Sequence, residues 1–143
     1  MPHSLPTING TPDRFPHESN DCSVRALANC LQIPYATAHK MLAKHTNRQT
    51  GRGPDLVSLH KLLKSLGFNC TALGTTFTAR HLKWKDSTVK HFPKGATLGS
   101  IVPTIKGNAY LIVRGHALAV RDGVAFDMGW DISARLPVAA IYK

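Results

Sequence analysis

A thiol, an imidazole and a carboxylate carry the chemistry this sequence offers. Cys22 lies in "SNDCSVRALANCL", residues 19–31, at the front of an apolar stretch with helical spacing. The N-terminus of a helix presents unpaired N–H groups and the positive end of a dipole. Both favour a thiolate and can lower a thiol pKa below its ordinary ~8.5. An attacking cysteine also needs a base and donors for the developing oxyanion. The base is offered in "RGHALAVRDGVAFD", where His116 opens an alternating segment just after Gly115. Asp122-Gly123 is a tight-hairpin signal. With those two residues as the loop, Arg121 pairs with Val124 and Asp127 falls opposite Leu118. His116 shares Leu118's face, which makes His116 and Asp127 diagonal cross-strand neighbours. A carboxylate there would hold the imidazole's tautomer and stabilise its charged form.

Plainer readings stand beside each of these. A cysteine on a helix is commonly a core thiol, as Cys30 and Cys70 read here. A strand histidine is ordinarily a satisfied polar residue, and Asp127 alone reads as a turn residue. The joint case rests on three positions falling at a capped helix start, a strand start and a hairpin return. For the oxyanion, the candidates are the Cys22 backbone amide and the Asn20 side chain. Trp130, in "DMGWD", either covers the site or packs the sheet onto a helix. Arg48 and Arg52, in "NRQTGRG" (residues 47–53), either line a substrate groove or belong to a solvated loop. Arg25, one turn after Cys22, either steadies a thiolate, pairs with a substrate carboxylate or is a surface charge. Asp21 is expected to cap the helix.

These residues must be held by a frame, and the pattern supplies one. Prolines 2, 6, 12 and 16 make residues 1–18 an extended arm. A first helix is predicted from Cys22 to Gln32, with Ala26, Leu27, Cys30 and Leu31 on one face. Pro34 ends it and starts a second over Tyr35–Lys44, with Tyr35, Ala38, Met41 and Leu42 inward. Asp55 opens a third, with a stripe of Leu56, Leu59, Leu62, Leu63 and Leu66 stopped by Gly67. "FNCTAL" reads as a strand, 79–84 as a short helix and 98–105 as a short helix or turn. "AYLIV", "HALAVRD", "VAFD" and "PVAAIY" predict an antiparallel meander ending near Tyr142. Helices followed by a small antiparallel sheet give an α+β domain over 19–143.

The chain has 143 residues, 43% of them hydrophobic, enough for a real core. No apolar run reaches the ~20 residues of a membrane span, and no signal-peptide pattern opens the chain, so a cytoplasmic protein is expected. Three cysteines without a CxxC argue against a disulfide framework or a cysteine-based zinc finger, and no metal or other cofactor is expected. A formal charge of +10 favours anionic partners. Basic residues gather at Lys40–Arg52 and Arg80–Lys94, without a long tract and without repeated aromatics. Two function classes follow: a thiol hydrolase, or a non-catalytic basic module holding nucleic acid or an acidic protein. The sequence leaves the oligomeric state open.

The cysteine and histidine stretches also carry a family likeness. "NDCSVRALANCLQIPYATAHKML", then "GRG", then "GNAYLIVRGHALAVRDGVAFD" resemble the papain-like cysteine peptidase fold. Within it the match is to small bacteriophage proteins described as C39-like peptidases. The likeness spans residues 19–66 and 95–142. It implies Cys22 as nucleophile, His116 as base, Asp127 as orienting acid, and hydrolysis of a peptide or isopeptide bond in a protein substrate. It also implies a phage-encoded protein working in the host cytoplasm. Relatives place a Gln upstream of the Cys for the oxyanion hole. The corresponding position here is Pro16, which leaves that task to Asn20 or backbone amides and leaves room for acyl transfer.

Overall fold

The computed structural model describes residues 3–74, 77–92 and 95–143. In chain order the elements are β1 (Ser4–Leu5), β2 (Thr7–Asn9), α1 (Cys22–Leu31), α2 (Tyr35–Thr46), α3 (Leu56–Ser65), β3 (Cys70–Leu73) and α4 (Phe77–Lys85). β4 (Lys90–Phe92), β5 (Ala96–Thr97), α5 (Leu98–Ile101) and a 3-10 turn (Val102–Thr104) follow. The chain ends in β6 (Asn108–Val113), β7 (His116–Arg121), β8 (Val124–Asp127), β9 (Ile132–Ser133) and β10 (Pro137–Tyr142). The protein is a mixed α+β structure. Among the described residues, no helix is long and apolar enough to cross a membrane.

The main sheet runs β2-β8-β7-β6-β10-β3-β4, with β5 paired to β10. β6, β7 and β8 form the expected meander. Asp122 (φ 49°) and Gly123 (φ 79°) make its second turn, two successive positive φ angles of the kind a tight hairpin loop requires. Arg121 pairs with Val124, and β7 runs its full length against β6 from His116↔Val113 to Arg121↔Asn108. The last strand departs from the expected meander. β10 does not add beyond β8 but returns to the far side of β6, between β6 and β3. Strand pairing there follows from burial on both faces: β6 is buried from Ala109 to Val113 and could not remain an edge.

Strand alternation divides the core. Tyr110, Ile112, Ala117 and Ala119 face a cluster built with α1, α2 and α3. Leu111, Val113, Leu118 and Val120 face a second cluster with Leu98, Val102 and Ile105. The alanines of β7 let α1 lie close on the sheet. Eight consecutive residues of α1, Ser23 to Cys30, are buried there. α1 is thus a central helix, and only its two end residues, Cys22 and Leu31, are partly exposed.

The arm is part of the sheet. β2 adds in parallel to β8, pairing Asn9 with Asp127, and β1 pairs with β9. Asp55 caps α3 as expected, accepting from the Ser58 N–H at 3.0 Å. Asp21 does not cap α1 with its side chain. Its carboxylate is taken by Arg14, Arg25 and Tyr35 instead.

Candidate active site

Cys22 is the first residue of α1, His116 the first of β7 and Asp127 the last of β8. An antiparallel hairpin puts the start of one strand and the end of its partner at one end of the sheet. The tip of α1 arrives at that end. There the His116 ring and the backbone of Ala117 lie beside the Cys22 sulfur, near enough for both to lower the thiol. On the other side of the ring, His116 Nε2 meets Asp127 Oδ2 at 2.7 Å. That leaves Nδ1 as the ring nitrogen toward the thiol. Cys22, His116 and Asp127 stand in one row.

The electrostatics polarise that row. Burial pushes the Cys22 thiol up, but the hydrogen bond and charge of His116, the Ala117 amide and Arg25 outweigh it, and its pKa is lowered. His116 is raised to about 9, chiefly by the Asp127 hydrogen bond and then by Cys22, against the opposing effect of burial. Burial also raises the Asp127 carboxyl, and His116 and Arg25 bring it below its ordinary range. The other thiols go the opposite way. Burial pushes Cys30 up to about 12 and Cys70 to about 11. Cys22 is thus drawn toward the thiolate, His116 toward the imidazolium and Asp127 toward the carboxylate.

Behind the row stands a second layer of charge. Arg25 Nη1 donates to Asp127 Oδ1, the oxygen that His116 does not use, and Arg25 Nε reaches Asp21 Oδ1 at 3.2 Å. Asp21 also accepts from Arg14 Nε at 2.6 Å and from the Tyr35 hydroxyl at 2.7 Å. Arg25 is therefore neither a surface charge nor a free ligand for substrate, but the buried tie between two carboxylates. The sequence reading missed that pair, although the i, i+4 spacing of Asp21 and Arg25 was a signal that could have found it. Arg14 and Tyr35 gave no such signal.

A cavity of about 210 Å³ opens beside Cys22 and His116. Pro54, Leu56, Leu59, Ile112 and Val113 make its wall apolar, with Ser23 and Gly53 also on it. Leu56, expected in the core stripe, is 37% exposed because it faces this opening. As the first residue of α1, Cys22 has no intrahelical acceptor for its own N–H, which fits an oxyanion donor.

Other expected site residues lie elsewhere. Asn20 adopts a left-handed backbone (φ 49°) that turns its amide away, and its Nδ2 donates to the Gly51 carbonyl at 2.9 Å. Its work is to tie the 47–53 loop to the chain before Cys22. Arg48 is buried and not groove-lining, with Nη1 at 3.1 Å from Glu18 Oε2. The reason is Glu18, a buried carboxylate that needs a cation. It also accepts from the Gly51 N–H at 2.7 Å and meets His39 Nε2 at 2.6 Å. These partners overcome burial and hold Glu18 down at about 2. Arg52 is exposed, and the cavity wall takes its neighbours Gly53 and Pro54 instead. Trp130 neither covers the row nor packs the sheet: it is 62% exposed and off the cavity wall, and its carbonyl accepts from the Thr7 hydroxyl. No protein-family model, no curated protein and no solved structure matches the chain.

Proposed function

We propose that the protein is a thiol hydrolase of amide bonds with a papain-like arrangement of Cys22, His116 and Asp127. The observation that supports this reading is the divergence of the three thiols: only Cys22 is pulled toward the thiolate, and it alone sits between an imidazolium and an open cavity. The Cys22 thiolate attacks the substrate carbonyl carbon, forming a C–S bond and moving the carbonyl electron pair onto oxygen. The Cys22 amide N–H stabilises that oxyanion. The His116 imidazolium passes its proton to the amine nitrogen as the C–N bond breaks. Neutral His116 then takes a proton from water as the water attacks the thioester. The C–S bond breaks, the acid product leaves and the ion pair is restored. Asp127 keeps one tautomer throughout. The apolar wall fits an aliphatic side chain next to the scissile bond. The target is a peptide or isopeptide bond of a protein, and the +10 charge favours an acidic one.

The test is competitive alkylation of the three thiols with iodoacetamide, followed by mass spectrometry over pH. Cys22 is expected to react far ahead of Cys30 and Cys70 at pH 7, and to form a thioester adduct with activated acyl compounds. Slow, equal labelling of all three thiols would sink the proposal.

A further inference from the structure

Away from the Cys22 site, the outer face of the helical layer carries charge and an aromatic ring that the protein itself does not use. Residues 35–92 hold ten of the eighteen Lys and Arg residues but only two of the eight acidic residues. α3 packs against both α2 and α4, so the three helices form one layer. Lys40, Lys44, Lys61, Arg80, Lys83 and Lys85 are all exposed on it. The two acids are occupied. Asp55 caps α3. Asp86 meets His60 Nε2 at 2.9 Å and accepts from Thr88.

α4 is the sharpest part of this face. It holds no acidic residue, and Ala79 and Leu82 are its buried side. Arg80, Lys83 and Trp84 stand at i, i+3 and i+4, one exposed ridge. Trp84 is 73% exposed, the most exposed large hydrophobic side chain among the described residues. Like charges one turn apart repel, and a bare indole in water forgoes the burial that ordinarily holds a Trp. Both are relieved by one kind of ligand: a flexible chain of phosphates with unstacked, flat bases. A groove between α2 and α3 continues the path. It has a volume of about 270 Å³, and His45, Ser58, Lys61 and Ser65 supply its polar wall, with no carboxylate among the lining side chains.

We propose that the α2–α3–α4 face binds single-stranded nucleic acid, with Trp84 stacking on a base and Arg80, Lys83 and Lys61 meeting phosphates. Duplexes fit less well, because their bases are already stacked and cannot lie on the indole. This site does not depend on the reading of Cys22 and stands whether or not the thiol is catalytic.

The test is fluorescence anisotropy of the full chain with a labelled single-stranded oligonucleotide, across a salt series. Binding is expected to weaken linearly in log–log form. The Arg80→Ala/Lys83→Ala variant should flatten that slope by roughly 1.4, about 0.7 for each lost phosphate contact. Trp84→Ala should weaken binding roughly 5- to 100-fold at one salt concentration and leave the slope unchanged, as expected for loss of base stacking. Trp84, Arg80 and Lys83 are exposed, so folding is checked simply by an unchanged Cys22 alkylation rate. The proposal is overturned by no binding at about 50 mM salt, by equal binding of a duplex, or by an unchanged affinity in Trp84→Ala. It is also overturned if polyglutamate competes as well as the oligonucleotide, which would assign the face to an acidic protein.

Discussion

Replacing Asp127 by Asn tests whether the row of side chains works as a charge relay or merely as a packed cluster. Asp127 uses its two oxygens separately, Oδ1 for Arg25 and Oδ2 for His116. An Asn keeps one acceptor, which Arg25 claims, and so turns its NH2 toward His116 Nε2. That nitrogen must then become an acceptor, and the proton moves to Nδ1, on the thiol side. The ring loses its ability to accept a proton there. The magnitude follows from His116, held at about 9 against an ordinary 6.5. That gap is a preference for the charged ring on the order of 3 kcal/mol. Asp127 is its largest source, ahead of Cys22. Asp127→Asn should therefore lower the imidazolium pKa by roughly one to two pH units and move the Cys22 midpoint upward in turn. At pH values below the midpoint, each unit upward cuts the thiolate fraction about tenfold, while the more basic thiolate gains about threefold in nucleophilicity. The net alkylation rate there should fall about threefold per unit. The assay is the pH profile of Cys22 alkylation followed by mass spectrometry, with wild type as reference. In wild type the rate should rise through a midpoint below 9.0 and bend again near 9, where the imidazolium dissociates. An unchanged midpoint in Asp127→Asn would refute the assignment of the thiolate to this relay.

Two further outcomes follow from the buried charges. Arg25→Met leaves Asp21 and Asp127 without their shared cation, and breaking such a buried pair should cost on the order of 3–5 kcal/mol in urea unfolding. A loss under about 1 kcal/mol would show that Arg25 is not the tie described. Glu18 has a folded pKa near 2 against an unfolded 4.5, so its contribution is complete above 4.5 and lost as pH falls toward 2. The urea midpoint of wild type should drop across that window, and Glu18→Gln should lessen the drop, the rest belonging to Asp21, Asp55, Asp86 and Asp127, whose carboxyls are lowered too. Parallel curves for the two proteins would contradict the Glu18–Arg48 anchor.

Local signals carried far in this chain, and long-range partners did not. Asp122-Gly123 set the hairpin register, and from that register the nearness of His116 and Asp127 followed by counting. The i, i+3, i+4 pattern gave α1, and its first residue was the thiol. What stayed hidden depended on a partner distant in sequence. Arg48 looks like a loop cation until Glu18, thirty residues earlier, is seen buried against it. Asn20 looks like an oxyanion donor until its positive φ turns it to Gly51. The arm looks detached because three residues of strand carry no hydrophobic pattern. Backbone pairing of β2 with β8 and of β1 with β9 places it. β10 had the composition of a strand, but composition does not choose between the two open edges of a meander. Trp84 was read within a basic segment, and its exposure could not be counted before α4 had a buried side.

The order of charges explains why the proton rests where it does. Outward from the thiol the groups run Cys22, His116, Asp127, Arg25, Asp21 and Arg14, alternating in sign at every step. Two buried carboxylates so near each other would raise one another's pKa, and one would take up a proton. Arg25 between them and Arg14 beyond keep both ionised, and both are lowered despite burial. Because Arg25 occupies one oxygen of Asp127, the other presents a full acceptor to the imidazole, and the ring, not the carboxyl, holds the proton. The arm supplies the far end of this series through Arg14 and pairs Asn9 of β2 beside Asp127. Gly10 follows, where an added Cβ would run into the Asn29 side chain of α1 and the Phe126 ring. The same short segment therefore presses on the helix of Cys22 and on the strand of Asp127. The lowered thiol at the tip of α1 is a property of the arm and the sheet together, not of a cysteine at a helix end.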